Sequence, residues 1–263
     1  MKKRLQNTTN KLIPIGVILV LLLIWQLISF IGWIPNYMLP SPMNVMKAFL
    51  SDVPLLMEHT RVTLSEASLG LLMGVFLGFG VSVLMDHFPI VYKGIYPLVV
   101  ITQTIPTIAI APLLVLWMGY GMAPKVMLVV ITTFFPITVG LLDGFKSADS
   151  DMIDLLRSMG AGKLQIFRYI KLPGSMTSFF SGLRVSAAYS VVGAVISEWL
   201  GGFSGLGVYM VRVKKSYSFD KMFAVIFLIS IISLILMKLV DVIQKACMPW
   251  ERINKKEREK VNL

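Results

Sequence analysis

Apolar runs of about 20 residues recur along this chain, and each is long enough to cross a bilayer as a helix. Of the 263 residues, 56% are hydrophobic and only 15% are charged, and the mean hydropathy is +0.77. Soluble domains carry roughly 25% charged residues. We therefore predict an all-α, polytopic integral membrane protein and exclude an ordinary water-soluble fold.

Six segments are predicted to span the membrane. The first is longer than the apolar region of a signal peptide and lacks a small-residue cleavage site, so we interpret it as a retained helix. The predicted spans are 12–32, 62–85, 94–118, 124–142, 176–200 and 222–245. Glycines spaced four apart in the second span, at Gly70, Gly74 and Gly78, predict a face where another helix packs closely.

The distribution of basic residues predicts the orientation. With the N-terminus inside, the inner segments carry more than twice as many Lys and Arg residues as the outer ones, which favours cytoplasmic termini. The predicted organisation is a cytoplasmic segment at 1–11, a transmembrane domain at 12–246 and a basic cytoplasmic tail at 247–263. We expect a multi-pass protein of the plasma or inner membrane.

Charge and metal-binding residues exclude other classes. The net charge of +11 would suggest nucleic-acid binding in a soluble chain, but here the basic residues lie between and beyond apolar segments. The bilayer, and no nucleic acid, is therefore the expected partner. One cysteine, Cys247, and two histidines, His59 and His87, are too few for a disulfide framework or a typical zinc centre.

Two connections are longer than turns. The outer stretch 33–61 has apolar residues at helical spacing after Leu39-Pro40-Ser41-Pro42, which predicts a short amphipathic helix. The inner loop 143–174 begins acidic and ends basic, as a helix dipole favours, and glycines at 160 and 162 predict a break between two short helices. Its mixed apolar and charged surface predicts a docking site for another protein.

This loop contains a spaced motif. Asp154-Leu155-Leu156 is followed after three residues by Gly160, and after nine more by Ile170-Lys171-Leu172-Pro173. The pattern resembles the EAA loop of ABC-transporter permeases, although the E-A-A triplet is only loosely kept as D-L-L. The resemblance implies a coupling helix that sits in a groove of an ATPase subunit. The residues assigned to this coupling are Asp154, Leu155, Leu156, Met159, Gly160, Ile170, Leu172 and Pro173.

Elementary chemistry fits that role. Gly160 can adopt backbone angles closed to other residues and so lets a helix stop and turn. Leu155, Leu156 and Met159 would be exposed to water unless a partner covered them. Pro173 is expected to end the second short helix and to set the entry into the fifth span.

The resemblance extends over most of the chain. His59, Thr63-Leu64, the stretch 105–113, Glu198 and Gly205-Leu206-Gly207 are similar to the nitrate, taurine and sulfonate branch of importer permeases. Segments 197–201 and 205–210 are most similar to permeases for the thiamine precursor hydroxymethylpyrimidine. Membership implies a type I ABC importer fold, a homodimer of permeases, two ATPase subunits and an extracytoplasmic solute-binding protein. Sulfonates, taurine, nitrate-like ions and pyrimidine precursors stay open as substrates.

ATP is expected to be used elsewhere. Gly160-Ala161-Gly162-Lys163 is not a phosphate loop, because Arg157 stands where Gly is needed and Leu164 where Ser or Thr is needed. We therefore expect no catalytic residue, no metal site and no cofactor in this chain, with ATP and Mg²⁺ used by the partner ATPase.

Four residues within the spans are candidates for the translocation path or a gate. Pro106 and Pro112 free backbone groups at membrane depth, which indicates either a pore-lining kink or a packing kink. Arg184 is either functional or a snorkelling side chain, and Glu198 either a gate or contact residue or a solvated helix end.

Two other classes of protein remain as alternatives. An ion-coupled secondary transporter usually has inverted repeats and midplane carboxylates, neither of which is visible here. A membrane enzyme needs a cluster of catalytic side chains, and two histidines in all count against it.

Overall fold

The computed structural model describes the backbone at 2–32, 34–35 and 37–249, with side chains from residue 13 onward. Most of the predicted tail, from residue 250, lies outside the described residues. Eleven α-helices are described over these ranges, together with one π-helical turn, Phe167–Lys171, between α8 and α9. The helices are α1 Lys2–Ile31, α2 Pro42–Ser51, α3 Val53–His87, α4 Pro89–Thr104, α5 Thr107–Met118, α6 Ala123–Lys146, α7 Ser150–Ser158, α8 Lys163–Ile166, α9 Leu172–Gly201, α10 Leu206–Lys215 and α11 Phe219–Cys247.

Five stretches of helix in the described part of the chain are long and apolar enough to span a membrane, and the bent pair α4 and α5 makes six if it counts as one span. The all-α polytopic prediction is thus confirmed. The predicted third span is not one helix, however. Pro106 lacks an N–H and pushes Ile105 into an extended conformation (ψ 122°). The chain therefore bends by 102° between α4 and α5. Pro112 lies inside α5 without breaking it.

The chain forms two compact units. The first contains residues up to Glu58 together with Tyr209–Leu228. Within it, the indole of Trp25 stacks on Phe227 at 5.8 Å between ring centroids and donates a hydrogen bond to the carbonyl of Pro40. The predicted amphipathic helix is present as α2, where Ser41 caps the N-terminus by accepting from the N–H of Asn44.

Asp52 gathers the polar contacts of this first unit. Its carboxylate accepts hydrogen bonds from the hydroxyl of Tyr209 at 2.7 Å and of Ser51 at 3.1 Å, and it pairs with Lys221 at 2.8 Å. Burial alone would raise the pKa of Asp52, but the hydrogen bonds from Lys221, Tyr209 and Ser51 outweigh it and lower the pKa below the usual value. Asp52, the residue between α2 and α3, is therefore bonded to residues of α10 and α11.

The second unit contains His59–Val208 and the chain from Ile229. Its centre is the pair α6 and α9, whose backbones lie so close that a Cβ at Gly182 would overlap the carbonyl oxygen of Pro136. A Cβ at Gly140 would come within 2.9 Å of the Ser178 carbonyl. Small residues are what let helices approach to this distance in lipid.

The glycines of α3 face the same helix α6. A Cβ at Gly70 would overlap Val129, one at Gly74 would overlap the hydroxyl of Thr133, and one at Gly78 would lie 2.9 Å from the side chain of Ile137. The predicted packing face is therefore confirmed. Helix α6 is thus enclosed by glycine-lined surfaces of α3 and of α9.

Gly182→Ala is expected to destabilise the protein by about 1–3 kcal/mol, because the new methyl group forces two backbones apart. Gly174→Ala is the matched control on the same helix, since a Cβ there meets nothing within 4 Å. Thermal unfolding of the detergent-solubilised protein measures the difference. Equal melting temperatures for the two variants would contradict the close approach of α6 and α9.

The Asp52 contacts predict a dependence of stability on pH. Because the pKa of Asp52 is lower in the folded chain, its stabilising contribution is present above the ordinary aspartate pKa and is lost as the pH falls through the folded value. We expect Asp52→Asn to lose stability at neutral pH and to show a shallower decline on acidification than the wild type. Exposed Asp151 provides the control, since Asp151→Asn should keep the wild-type profile.

Candidate functional site

Helix α7 forms the first part of the inner loop, and its sequence fits a helix of this length. The carboxylate of Asp149 caps the N-terminus by accepting from the N–H groups of Asp151 at 2.9 Å and Met152 at 3.4 Å. Arg157 lies in the last turn, where a cation complements the helix dipole, and pairs with Asp154 at 3.0 Å on the solvent face. The first predicted short helix is therefore present.

Gly160 ends this helix with a turn that favours glycine. Its φ is +85°, and the N–H of Ala161 donates to the carbonyl of Leu156 at 2.9 Å. A Cβ at Gly160 would meet nothing within 4 Å, so the backbone angle, and not lack of space, selects glycine here. The turn follows the spacing of the motif.

Apolar side chains on this turn face solvent. Leu155 is 56% exposed, Met159 75% and Leu164 77%, whereas Leu156 is half-buried. Leu155 and Met159 are four residues apart, so they lie on the same side of the C-terminal end of α7. Three large apolar groups within ten residues form a surface that a partner can cover.

The second predicted short helix does not end at Pro173. Lys163–Gly201 is one helical stretch of 39 residues, in which Pro173 occupies the first turn of α9 after the π-helical turn. Proline cannot donate to the i→i−4 ladder, and Pro173 lies just after a π-helical turn, where that ladder is already interrupted. Ile170 and Leu172 are half-buried within this stretch, and Lys171 pairs with Asp86 of α3 at 2.7 Å.

Arg184 does not simply snorkel. Its guanidinium donates to Asp241 of α11 at 2.6 Å and to the side-chain carbonyl of Gln244 at 3.2 Å. A charge within a span is expected to find a partner of opposite sign, and the partner here is Asp241. Asp241 was not predicted as the partner of Arg184, although it is an acidic residue inside the predicted span 222–245.

Glu198 is 1% exposed, so it is not a solvated helix end. It belongs to a set of three side chains, His59, Thr63 and Glu198, that we call the α10 cap. The consecutive N–H groups of residues 205–207 donate in order to His59 Nδ1 at 2.9 Å, Thr63 Oγ1 at 2.9 Å and Glu198 Oε2 at 2.6 Å. Two other helices thus satisfy the unpaired N-terminal donors of α10.

Two further contacts complete the α10 cap. The hydroxyl of Thr63 donates to Glu198 Oε1 at 2.7 Å, which joins two members of the cap. Gly205 has φ +121°, and a Cβ there would overlap the Glu198 carboxylate. Only glycine therefore allows this approach. Sequence reasoning singled out these residues by resemblance but did not predict that they touch.

A buried ion pair lies in the same unit. Lys125 Nζ is 2.7 Å from Glu66 Oε1, and the two side chains are only 6% and 3% exposed. Lys125 lies in the first turn of α6, inside the predicted span 124–142. Its pairing with an acid on another span was not predicted.

The break at Pro106 opens beside a cavity of about 210 Å³, which lies between the ends of α4 and α5 and the helices α6 and α9. Ile105 and Thr107, on either side of Pro106, line it, and Pro112 does not. The four candidates for the path thus lie at different kinds of place: a helix break, a helix interior, an ion pair and a helix cap.

The α10 cap yields a prediction. Thr63→Val removes a hydroxyl that both accepts and donates, which leaves buried groups unpaired and costs about 1–3 kcal/mol. Thr63→Ser keeps the hydroxyl and is the matched control. We expect Thr63→Val, but not Thr63→Ser, to lower the melting temperature and to speed trypsin cleavage after the exposed Lys214 and Lys215. Identical cleavage in both variants would contradict the role of Thr63 in the cap.

The sequence of this chain is similar to those of known transport permeases. The pattern of the family described as "Binding-protein-dependent transport system inner membrane component" matches residues 70–252. The formylaminopyrimidine transport permease protein ThiX of Halalkalibacterium halodurans is 36% identical, over 94% of this chain and 99% of its own length. The taurine transport system permease protein TauC of Escherichia coli is 27% identical, over 90% of this chain and 89% of its own length.

Solved structures support the same fold. An inward-facing structure of the MetNI methionine ABC transporter aligns with a TM-score of 0.66 at 20% identity, over 74% of this chain and 97% of its own chain. The comparisons favour an ABC permease, a transport component and not a catalyst, over both the ion-coupled transporter and the membrane enzyme. This chain belongs to the binding-protein-dependent transport system inner membrane component family and is a multi-pass, inner-membrane permease of the ABC importer type.

Proposed function

We propose that this permease couples ATP hydrolysis by a separate ATPase chain to solute import through the loop 143–174. The observation that carries this proposal is the capped helix α7 ending at Gly160, which exposes Leu155 and Met159 to solvent. Such a surface fits a groove of a partner better than it fits water. Asp154 and Arg157 add a charged edge that can fix the orientation of docking.

The other residues assigned to coupling lie beneath or beside the exposed surface of α7. Leu156 is half-buried, and Ile170 and Leu172 are half-buried where the chain passes through the π-helical turn into α9. Pro173 lies just after this turn, in the first turn of α9. A partner that moves α7 would therefore act on the helix at the π-helical turn.

Family membership and charge support a proposal for the assembly and its orientation. Two copies of this permease would pair, two ATPase subunits would bind on the cytoplasmic side with ATP and Mg²⁺, and an extracytoplasmic binding protein would deliver the solute. The chain itself would bind no cofactor and no metal. The excess of basic residues in the inner segments supports cytoplasmic termini.

A pyrimidine precursor of thiamine is the substrate we propose. ThiX, named for formylaminopyrimidine transport, is 36% identical to this chain, against 27% for TauC, which is named for taurine. The segments 197–201 and 205–210, which suggested the pyrimidine branch, are also those that build the α10 cap. A sulfonate or taurine is the alternative substrate.

The coupling surface is tested by co-purification. Leu155→Glu combined with Met159→Glu places two charges on the docking face and should abolish capture of the ATPase by a tagged permease. Gly160→Pro should do the same, because proline cannot adopt φ +85°. Met43→Glu makes the same chemical change at a 60% exposed methionine of α2, in the loop predicted on the opposite side of the membrane, and should capture the ATPase normally.

Capture of the ATPase by wild type and by all variants would refute the assignment of the docking face. The folded state of each variant is checked by gel filtration and by its melting temperature. A variant that elutes and unfolds like the wild type, yet captures no ATPase, supports a loss of docking and not a loss of folding.

A further inference from the structure

The cavity beside Pro106 has a chemical character that bears on selectivity. It holds about 210 Å³ and lies between the α4–α5 break, α6 and α9. A site of roughly 150 Å³ accommodates a benzene ring, so a single substituted ring fits this one. Five of the residues that line it are polar: Thr102, Gln103, Thr107, Thr132 and Tyr189.

The helix break supplies backbone groups to the same place. The last carbonyls of α4 and the first N–H groups of α5 have no backbone partners within their own helices, although the hydroxyl of Thr104 bonds the Ile101 carbonyl and the N–H of Ala109 bonds the Pro106 carbonyl. Non-helical backbone at membrane depth is tolerated only against protein or beside a water-filled cavity, and this break lies beside one. The mouth of the cavity therefore offers both acceptors and donors.

The polar side chains are available to a ligand. The hydroxyls of Thr102 and Thr132 donate to the backbone carbonyls of Val99 and Val129, at 2.6 and 2.9 Å. Each hydroxyl oxygen can therefore still accept a hydrogen bond from a ligand. The hydrogen bonds within the described part of the chain include none to the amide of Gln103 or the hydroxyl of Tyr189. These two groups can donate as well as accept.

None of the ten residues that line the cavity is charged. A sulfonate or nitrate-like anion would lose its hydration here without meeting a cation, which is costly unless the charge is paired. The N-terminus of α5 contributes only a partial positive charge. A neutral heterocycle with ring nitrogens, an amino group and a hydroxyl loses less on leaving water and can use donors and acceptors together.

We infer that this cavity is a transient binding site on the translocation path, which selects neutral, single-ring, hydrogen-bonding solutes and rejects small anions. The inference rests on the proposed import function and adds to it a second selective step after the binding protein. Gln103 and Tyr189 make the decisive contacts, while Ile131 and Ile196 form the apolar wall against the ring.

The test uses the permease with its ATPase in proteoliposomes, with saturating binding protein and radiolabelled 4-amino-5-hydroxymethyl-2-methylpyrimidine. Gln103→Leu combined with Tyr189→Phe removes the side-chain amide and the hydroxyl with little change of side-chain volume. We expect this variant to transport at least tenfold less pyrimidine per ATP hydrolysed than the wild type. Its ATPase rate, stimulated by the binding protein, should stay within twofold.

Thr104→Val is the matched control, because Thr104 lies on the same helix end, outside the cavity, with its hydroxyl bonded to the carbonyl of Ile101 at 2.9 Å. It should transport like the wild type. Undiminished transport per ATP by the Gln103 and Tyr189 variant would overturn the inference. So would a wild-type complex that imports ethanesulfonate, a small anion, through a sulfonate-loaded binding protein as fast as it imports the pyrimidine.

A gain of function provides the converse test. Gln103→Arg places a cation in the cavity and is expected to raise binding of radiolabelled ethanesulfonate to the detergent-solubilised permease–ATPase complex at least tenfold, while binding of the pyrimidine falls. Unchanged ethanesulfonate binding would count against selection by charge. Failure of the proposed function is seen separately, as a tagged permease that captures no ATPase at all.

Discussion

The close approach of α6 and α9 is the constraint on which the second unit depends. Without water, helices gain little from burying apolar groups against one another, so packing must come from contact between backbones. Gly182 against the carbonyl of Pro136 provides that contact, and Gly70, Gly74 and Gly78 bring α3 to the same helix. Once α6 is held from both sides, the buried pair of Lys125 and Glu66 can form between fixed backbones, which hold Lys125 Nζ and Glu66 Oε1 2.7 Å apart.

Polar groups in this chain are placed where a helix begins, ends or breaks. The α10 cap satisfies three backbone donors, Asp149 caps α7, and the break at Pro106 leaves backbone groups beside a cavity. The N-terminus of α10 is buried and the break at Pro106 lies in a predicted span, so their backbone groups would otherwise lack a partner. The irregular parts of the backbone, more than the long apolar spans, therefore carry the chemistry with which a permease can meet a solute or a partner.

The sequence predicted the features that depend on local pattern. The spans follow from apolar length, the packing face of α3 from glycines spaced four apart, and the turn after α7 from Gly160. It failed where the outcome depends on distant partners. Pairing of Arg184 with Asp241 and burial of Glu198 require knowing which helices are neighbours. Pro106 indicated a kink, but not a bend as large as 102°. The continuation of helix through Pro173 was missed because proline both ends helices and begins them.

The unbroken helix from Lys163 to Gly201 has a mechanical consequence. At 1.5 Å per residue, its 39 residues form a rod about 58 Å long. One end emerges from the Gly160 turn, and the other carries Glu198, which holds the N-terminus of α10. The π-helical turn near the first end is the point where such a rod bends most easily. Bending at this turn would change the direction of α8, while α9, held by its glycine contacts with α6, keeps its position and with it the α10 cap.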